Sequence, residues 1–253
     1  IAHRGPDYGG YWCDVDQNIG LGHRRLSVID PSPAGHQPMR SSSDRYVIAF
    51  NGEIYNHLSL RKILEDCGQA PVWNGHSDTE TLLAGFDAWG IQEMVTRAIG
   101  MFAFAVWDRQ NKTLTLARDR IGEKPLYYGW QGRGDDAVFL FGSELKALKV
   151  YPAFENKINR SALTLQLRHS YVPTPYSIYE GISKLFPGSL LTVSLQNRNQ
   201  KVWTYWSGSK VAESGVANVF VGGADQAVDE LELLLKNSVR QQMVADVSLG
   251  AFL

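Results

Sequence analysis

Three short stretches of the sequence carry residue types that could act together on one small polar molecule. The apolar run Tyr46–Phe50 (YVIAF) ends in Asn51-Gly52. A carboxamide side chain and an adjacent backbone N–H at a strand's end can aim two donors at one developing oxyanion. Such donors stabilise a tetrahedral intermediate by several kcal/mol in a dry site. Glycine at the second position lets a substrate approach its N–H with no Cβ in the way. Asn-Gly is equally the strongest two-residue hairpin signal, so a plain turn competes with this reading. Residues Glu53–Leu64 lean towards helical spacing rather than a returning strand, which favours the chemistry.

Arg24 and Arg25 sit inside Asn18–Asp30 (NIGLGHRRLSVID), which reads as a strand. Neighbours on a strand face opposite ways, so at most one of them shares a face with Ile19, Leu21 and Ile29. That arginine is either an edge-strand or ion-paired residue, or a clamp for a substrate carboxylate. Asp78 follows Gly75-His76-Ser77 at a helix start, where the dipole favours an acid in any case. Its alternative role is a fixed partner for a substrate ammonium. Together Arg25, Asn51/Gly52 and Asp78 would read a small zwitterion that bears an amide.

Other chemistry is poorly represented. The six histidines show no H-x-H or H-E-x-x-H spacing, so a metal site built on them is not expected. Val219–Asp225 (VFVGGAD) lacks the lysine and hydroxyl of a phosphate loop and reads as a turn. Cys67 closes an amphipathic helix, and Cys13 lies in a polar stretch without a histidine nearby in sequence. Neither makes a convincing nucleophile.

The elements that must position these residues mix helices with hairpins. His57–Gly68 and Asp78–Gly90 have helical apolar stripes, the second with Ser77 as N-cap and Glu80 completing a capping box. Met101–Asp108 and Thr113–Arg118 form a hairpin candidate, as do Ser189–Leu195 and Val202–Trp206. Val138–Gly142 is a short strand, followed by a short helix over Ser143–Lys149 opened by a serine cap. This pattern predicts antiparallel sheets with helices packed outside. Ser207–Ala217 reads as a linker, Asp225 as the cap of a long helix with the stripe Val228, Leu231, Leu234, Leu235, Val239 and Met243, and Asp246–Leu253 as a new strand. The expected domains are therefore 1–206 and 207–253.

Among the 253 residues, Lys plus Arg number 25 against 26 Asp plus Glu. Such balance speaks against a nucleic-acid-binding face or a polybasic membrane anchor. No apolar run approaches the roughly 20 residues a membrane helix needs. Two cysteines without a C-x-x-C pairing exclude a disulfide framework and fit a reducing, cytoplasmic setting.

An ordered series of motifs then becomes recognisable: Arg4-Gly5-Pro6-Asp7, Gly22-His23-Arg24-Arg25-Leu26-Ser27-Val28-Ile29-Asp30, Asn51-Gly52-Glu53-Ile54-Tyr55-Asn56, Ser77-Asp78-Thr79-Glu80, Gly100–Ala105, Arg118-Asp119-Arg120-x-Gly122-x-Lys124-Pro125, and Ser143–Leu148. In this order they resemble the glutamine-hydrolysing asparagine synthetases, whose N-terminal part is a class II, N-terminal-nucleophile glutamine amidotransferase. The resemblance implies an α+β fold, a four-layer αββα sandwich, followed by the first helix and strand of an α/β ATP-pyrophosphatase domain. It makes Arg25 the ligand of the glutamine α-carboxylate, with Leu26, Ser27, Val28 and Ile29 lining the pocket. Asn51 and Gly52 become oxyanion donors, and Glu53 and Asp78 ligands of the glutamine amino group.

The resemblance also implies L-glutamine, L-aspartate and ATP as substrates, with Mg²⁺, channelled ammonia and a homodimer in the complete protein. The family's nucleophile is a cysteine at the mature N-terminus, upstream of the RGPD motif, and its ATP loop, Ser-Gly-Gly-x-Asp-Ser, follows a strand like Asp246–Leu253. Leu253 is therefore expected only at the lip of the nucleotide site, and the chain is expected to be an inert internal fragment of a longer synthetase. Related amidotransferases acting on another carboxylate acceptor, or a catalytically dead glutamine-binding module, are the alternatives.

Overall fold

The computed structural model describes residues 1–248 and 250. Strands β1 (Tyr8–Asp14) and β2 (Ile19–Arg25) pair as an antiparallel ribbon. Next come β3 (Met39–Arg40), β4 (Tyr46–Ile54), helices α1 (His57–Asp66), α2 (Asp78–Trp89) and α3 (Ile91–Arg97), and the hairpin β5 (Gly100–Asp108) and β6 (Thr113–Arg118). Beyond these lie β7 (Tyr127–Gln131), β8 (Val138–Gly142), α4 (Leu145–Leu148), α5 (Arg160–His169), β9 (Ser183–Lys184), β10 (Ser189–Ser194) and β11 (Gln200–Thr204). A six-stranded sheet runs β11-β10-β6-β5-β4-β3, and a three-stranded one β8-β7-β9. Every strand pairing is antiparallel.

Strand alternation creates the layers. Tyr46, Ile48, Phe50 and Ile54 of β4 join Phe102, Phe104 and Val106 of β5 against Leu60, Leu82, Leu83, Phe86 and Met94 of the helices. Val47, Ala103, Ala105 and Trp107 face the other way, towards Ile19 and Leu21 of the ribbon and Phe139 of β8. The far side of the three-stranded sheet is covered by Leu148 and Phe154, packed with Ile182. The order is helix, sheet, sheet, helix: the expected αββα sandwich. β5 is apolar at nearly every position because both its faces are inside.

Several local expectations change. The strand predicted to reach Asp30 stops at Arg25, because its partner β1 begins at Tyr8, just after Pro6. From there Asp30 adopts a left-handed φ of 52° and bends the chain away. The capping box is half formed. Ser77 Oγ accepts from Glu80 N, but the Glu80 carboxylate turns to Asn74 N and Gly75 N at 2.7 and 3.1 Å. The serine cap expected for the helix after β8 is absent, and α4 starts at Leu145 without a side-chain cap. Ser207–Ala217, read as a linker, contains helix α6 (Gly208–Ala217), with Ser207 Oγ accepting from Lys210 N. The long helix α7 (Ala224–Gln242) places Asp225 in its first turn rather than at the cap. Asp246–Ser248 are not in a strand, and the rest of the expected strand, Leu253 included, falls mainly outside the described residues.

The Arg118–Pro125 motif folds around Asp119, which is fully buried. Its carboxylate accepts from the N–H groups of Phe102, Gly122, Glu123 and Lys124 at 2.6–3.2 Å. Removing one acceptor for four donors should be costly, since a buried unsatisfied group costs about 1–3 kcal/mol. Asp119→Ala is expected to destabilise the protein by at least about 3 kcal/mol in urea unfolding; a loss below about 1 kcal/mol would show the loop is held otherwise.

Candidate active site

A cavity of about 920 Å³ opens where β4 and β5 meet the ribbon and β8. That is near the top of the roughly 300–1,000 Å³ usual for small-molecule sites. Space exists because the facing side chains are small: Ala49 pairs with Ala105, and Asn51 with Ala103, on one sheet face. Arg25, Leu26, Val28, Ile29, Asn51, Gly52, Glu53 and Asp78 all line this cavity. Ser27 does not; its N–H donates to Asp7 Oδ2 at 2.8 Å instead.

Asn51-Gly52 is no turn but lies within β4. The Asn51 Nδ2 donates to Ser143 Oγ at 3.4 Å, which orients the carboxamide. At the strand's outer edge Phe50 N donates to Gln37 Oε1 at 2.6 Å, and Ile54 N donates to Asp78 Oδ2 at 2.9 Å. Alternation sends the Gly52 N–H to that same edge, between those two. β3 pairs only with Val47 and Ile48, so no strand meets Gly52 there. The glycine itself is demanded by the opposite side: a Cβ would lie 2.1 Å from Met101 O. Its place in the sequence thus has a packing cause that spacing alone did not reveal.

Arg25 ends β2 in phase with buried Ile19 and Leu21. Its guanidinium donates to the carbonyls of Ser32 at 3.0 Å, Ile29 at 3.2 Å and Asp30. Of an arginine's five N–H groups, two are left without a partner among the described residues. The loop therefore fixes this cation and uses part of the fork the sequence suggested for a ligand. Burial lowers its pKa, while the charges of Asp30, Asp78 and Asp7 oppose that.

Asp78 is the reverse case: a buried carboxyl whose pKa is pushed up to about 6. Desolvation is the main cause; hydrogen bonds from Ile54 N and Thr79 N resist it, and the nearby Glu53 charge adds to it. Burial likewise raises Glu53, with Lys124 as the opposing charge. Two desolvated carboxyls side by side favour a cationic ligand, which would restore the ionised form of each.

Two residues to which the sequence assigned no role, Gln37 outside the motifs and His23 within one, complete the wall. Buried Gln37 joins β4 to α2 through Phe50 N and, at 3.3 Å, Thr79 Oγ1. His23 bonds Phe50 O at 2.8 Å, and burial lowers its pKa to about 4, leaving it neutral. A buried glutamine beside a Pro gave no sequence signal. Cys13 and Cys67 are both exposed and do not line the cavity. Among the described residues no group of three or more His, Cys, Asp or Glu is placed to hold a metal ion, and no helix is long and apolar enough to cross a membrane.

Antiparallel sheets stacked between helices open here on a cavity lined by opposite charges and amide donors, a frame suited to a small zwitterion that bears an amide. Residues 1–206 match the glutamine amidotransferase domain family, and the chain belongs to it. It is similar to asparagine synthetases [glutamine-hydrolyzing] 3 and 1 of Bacillus subtilis, at 35% and 37% identity over 100% of this chain. The chain spans only 39% and 37% of their lengths. In fold it is similar to glutamine phosphoribosylpyrophosphate amidotransferase of Bacillus subtilis, with a TM-score of 0.51 and 21% identity over 74% of this chain and 34% of that one.

Asp78 holds its proton in the folded chain up to about pH 6, against 3.8 when unperturbed. The folded state is thus favoured below about pH 4, and that advantage is lost as pH rises through 6. Relative to Asp78→Asn, the ligand-free wild type should lose on the order of 3 kcal/mol between pH 4 and 7 in thermal unfolding. A flat difference would show that Asp78 is not desolvated.

Proposed function

We propose that this chain forms the glutamine-hydrolysing part of a glutamine-dependent asparagine synthetase. The observation that carries the reading is the convergence of Arg25, Asn51, Gly52, Glu53 and Asp78 on one cavity. Arg25 holds the glutamine α-carboxylate with the N–H groups its loop leaves free, while Leu26, Val28 and Ile29 flank the ligand. Asp78 and Glu53 hold the α-ammonium, whose charge lowers the pKa of both carboxyls and fixes them ionised. The side-chain amide then extends along β4, its carbonyl oxygen between the Asn51 Nδ2 and the Gly52 N–H. Those donors stabilise the oxyanion as the carbonyl becomes tetrahedral.

The attacking group is the family's N-terminal cysteine, since the environments of Cys13 and Cys67 do not suit the role. Attack on the amide carbon expels ammonia and leaves a thioester that water hydrolyses to glutamate. The ammonia then serves a second site, where aspartate activated by ATP and Mg²⁺ is amidated to asparagine. That half-reaction is assigned to the synthetase part of the whole protein. The names of the relatives support aspartate as acceptor. ATP dependence and two unpaired cysteines support a cytoplasmic setting.

In the complete protein, Asn51→Ala should lower kcat for glutamine hydrolysis roughly 10²–10³-fold, read as glutamate release; an unchanged rate removes Asn51 from the oxyanion role. Asparagine formation should require aspartate. Glutamine turnover coupled to amidation without aspartate would assign another carboxylate as acceptor.

A further inference from the structure

After α7 the chain returns to the body of the sandwich, and among the described residues the hydrogen bonds it makes there come from one residue, Asp246. Asp246 N donates to Val28 O at 3.0 Å. Asp246 Oδ2 accepts from Asp30 N at 2.7 Å and from His76 Nε2 at 2.7 Å. These partners belong to two separate loops, and each loop adjoins one of the pocket's opposite charges, Arg25 at the end of β2 and Asp78 at the start of α2. The 28–32 loop supplies the three carbonyls that fix the Arg25 guanidinium. The His76 loop leads directly into Ser77, the N-cap of α2, and Asp78.

The two loops are also joined beneath Asp246. The buried Asp30 carboxylate accepts from His76 N at 2.8 Å, and from Ser32 N at 3.2 Å and its hydroxyl. Burial alone would raise the Asp30 pKa, but these hydrogen bonds prevail and hold the carboxyl below its ordinary range. Asp246 therefore caps a continuous chain of bonds that ends on both anchors. Its own side chain is 40% exposed and that of His76 56%, so the contact can open without disturbing the core.

We infer that Asp246 is a positioning residue for the amino-acid pocket, holding the loop that fixes Arg25 and the loop that leads into Asp78 at the separation that a free amino acid's carboxylate and ammonium require. The inference rests on the glutamine reading of the cavity. By linkage, whatever docks or withdraws the segment after α7 changes glutamine affinity, and bound glutamine favours the docked segment. The pocket is thus tied to the part of the chain that lies beyond the sandwich in sequence.

The test uses the complete protein carrying Asp246→Ala or Asp246→Asn. Two readouts are taken: hydrogen exchange of the Asp30 and His76 amides without ligand, and the KM and kcat of glutamine hydrolysis. For Asp246→Ala, exchange at least about tenfold faster and a KM raised about tenfold are expected, with kcat within about twofold. Asp246→Asn should recover most of both, because its carboxamide oxygen still accepts from Asp30 N. Unchanged exchange in Asp246→Ala overturns the latch. Faster exchange with an unchanged KM reduces the contact to a structural one and overturns the positioning role. If the wild-type protein does not hydrolyse glutamine, the functional reading fails, while the exchange measurement still decides whether Asp246 couples the loops.

Discussion

Two neighbouring carboxyls, buried Asp78 and half-buried Glu53, are partly or wholly desolvated, and among the described residues no cation is bonded to either. Everything else about the site follows from that. A desolvated carboxylate without a paired cation is destabilising, and groups perturbed in this way cluster where a ligand or reaction uses them. In the function proposed above, an α-ammonium supplies the missing charge. Arg25, immobilised by three carbonyls of its own loop, supplies the complementary cation at the same cavity. The pocket is thus polarised before any ligand arrives, and the sign at each end matches a free amino acid.

The sandwich makes this arrangement possible by local means. Alternation along β4 puts Ala49, Asn51 and Glu53 on the inter-sheet face, and the cross-strand alanines leave that face hollow. β4 is covered by β3 only at Val47 and Ile48, so its later N–H groups are satisfied by side chains instead. Gln37 takes Phe50 and Asp78 takes Ile54, which leaves the Gly52 N–H between them facing the edge where no strand pairs. Asp78 therefore has two duties, as an edge cap for β4 and as a charge in the pocket.

Much of this was legible in the sequence. Periodicity gave the hairpins, α1, α2 and α7, and reasoning from residue type gathered Arg25, Asn51, Gly52 and Asp78 around one molecule. The resemblance added Glu53 and the layer order. What escaped had identifiable causes. Leu26–Ile29 continues the apolar texture of β2, and only the early end of β1 and the left-handed Asp30 stop the strand at Arg25. The small and polar residues of α6 bury nothing, so Ser207–Ala217 has the texture of a linker although it folds as a helix. Gln37 and Asp30 act through partners 13 to 216 positions away, contacts that no local spacing encodes. At Gly52 the sequence suggests room for a substrate, and the neighbouring strand independently forbids a Cβ there.

The central claim is that both charges of a free amino acid are read together with its terminal amide. Calorimetric titration of the complete protein with L-glutamine, its des-amino analogue and its decarboxylated analogue tests this directly. The account predicts that L-glutamine binds and loses most of its affinity when either charged group is removed. It also predicts net proton release near pH 6 as Asp78 ionises against the ammonium. Equal binding of the des-amino compound, with no proton release, would contradict it.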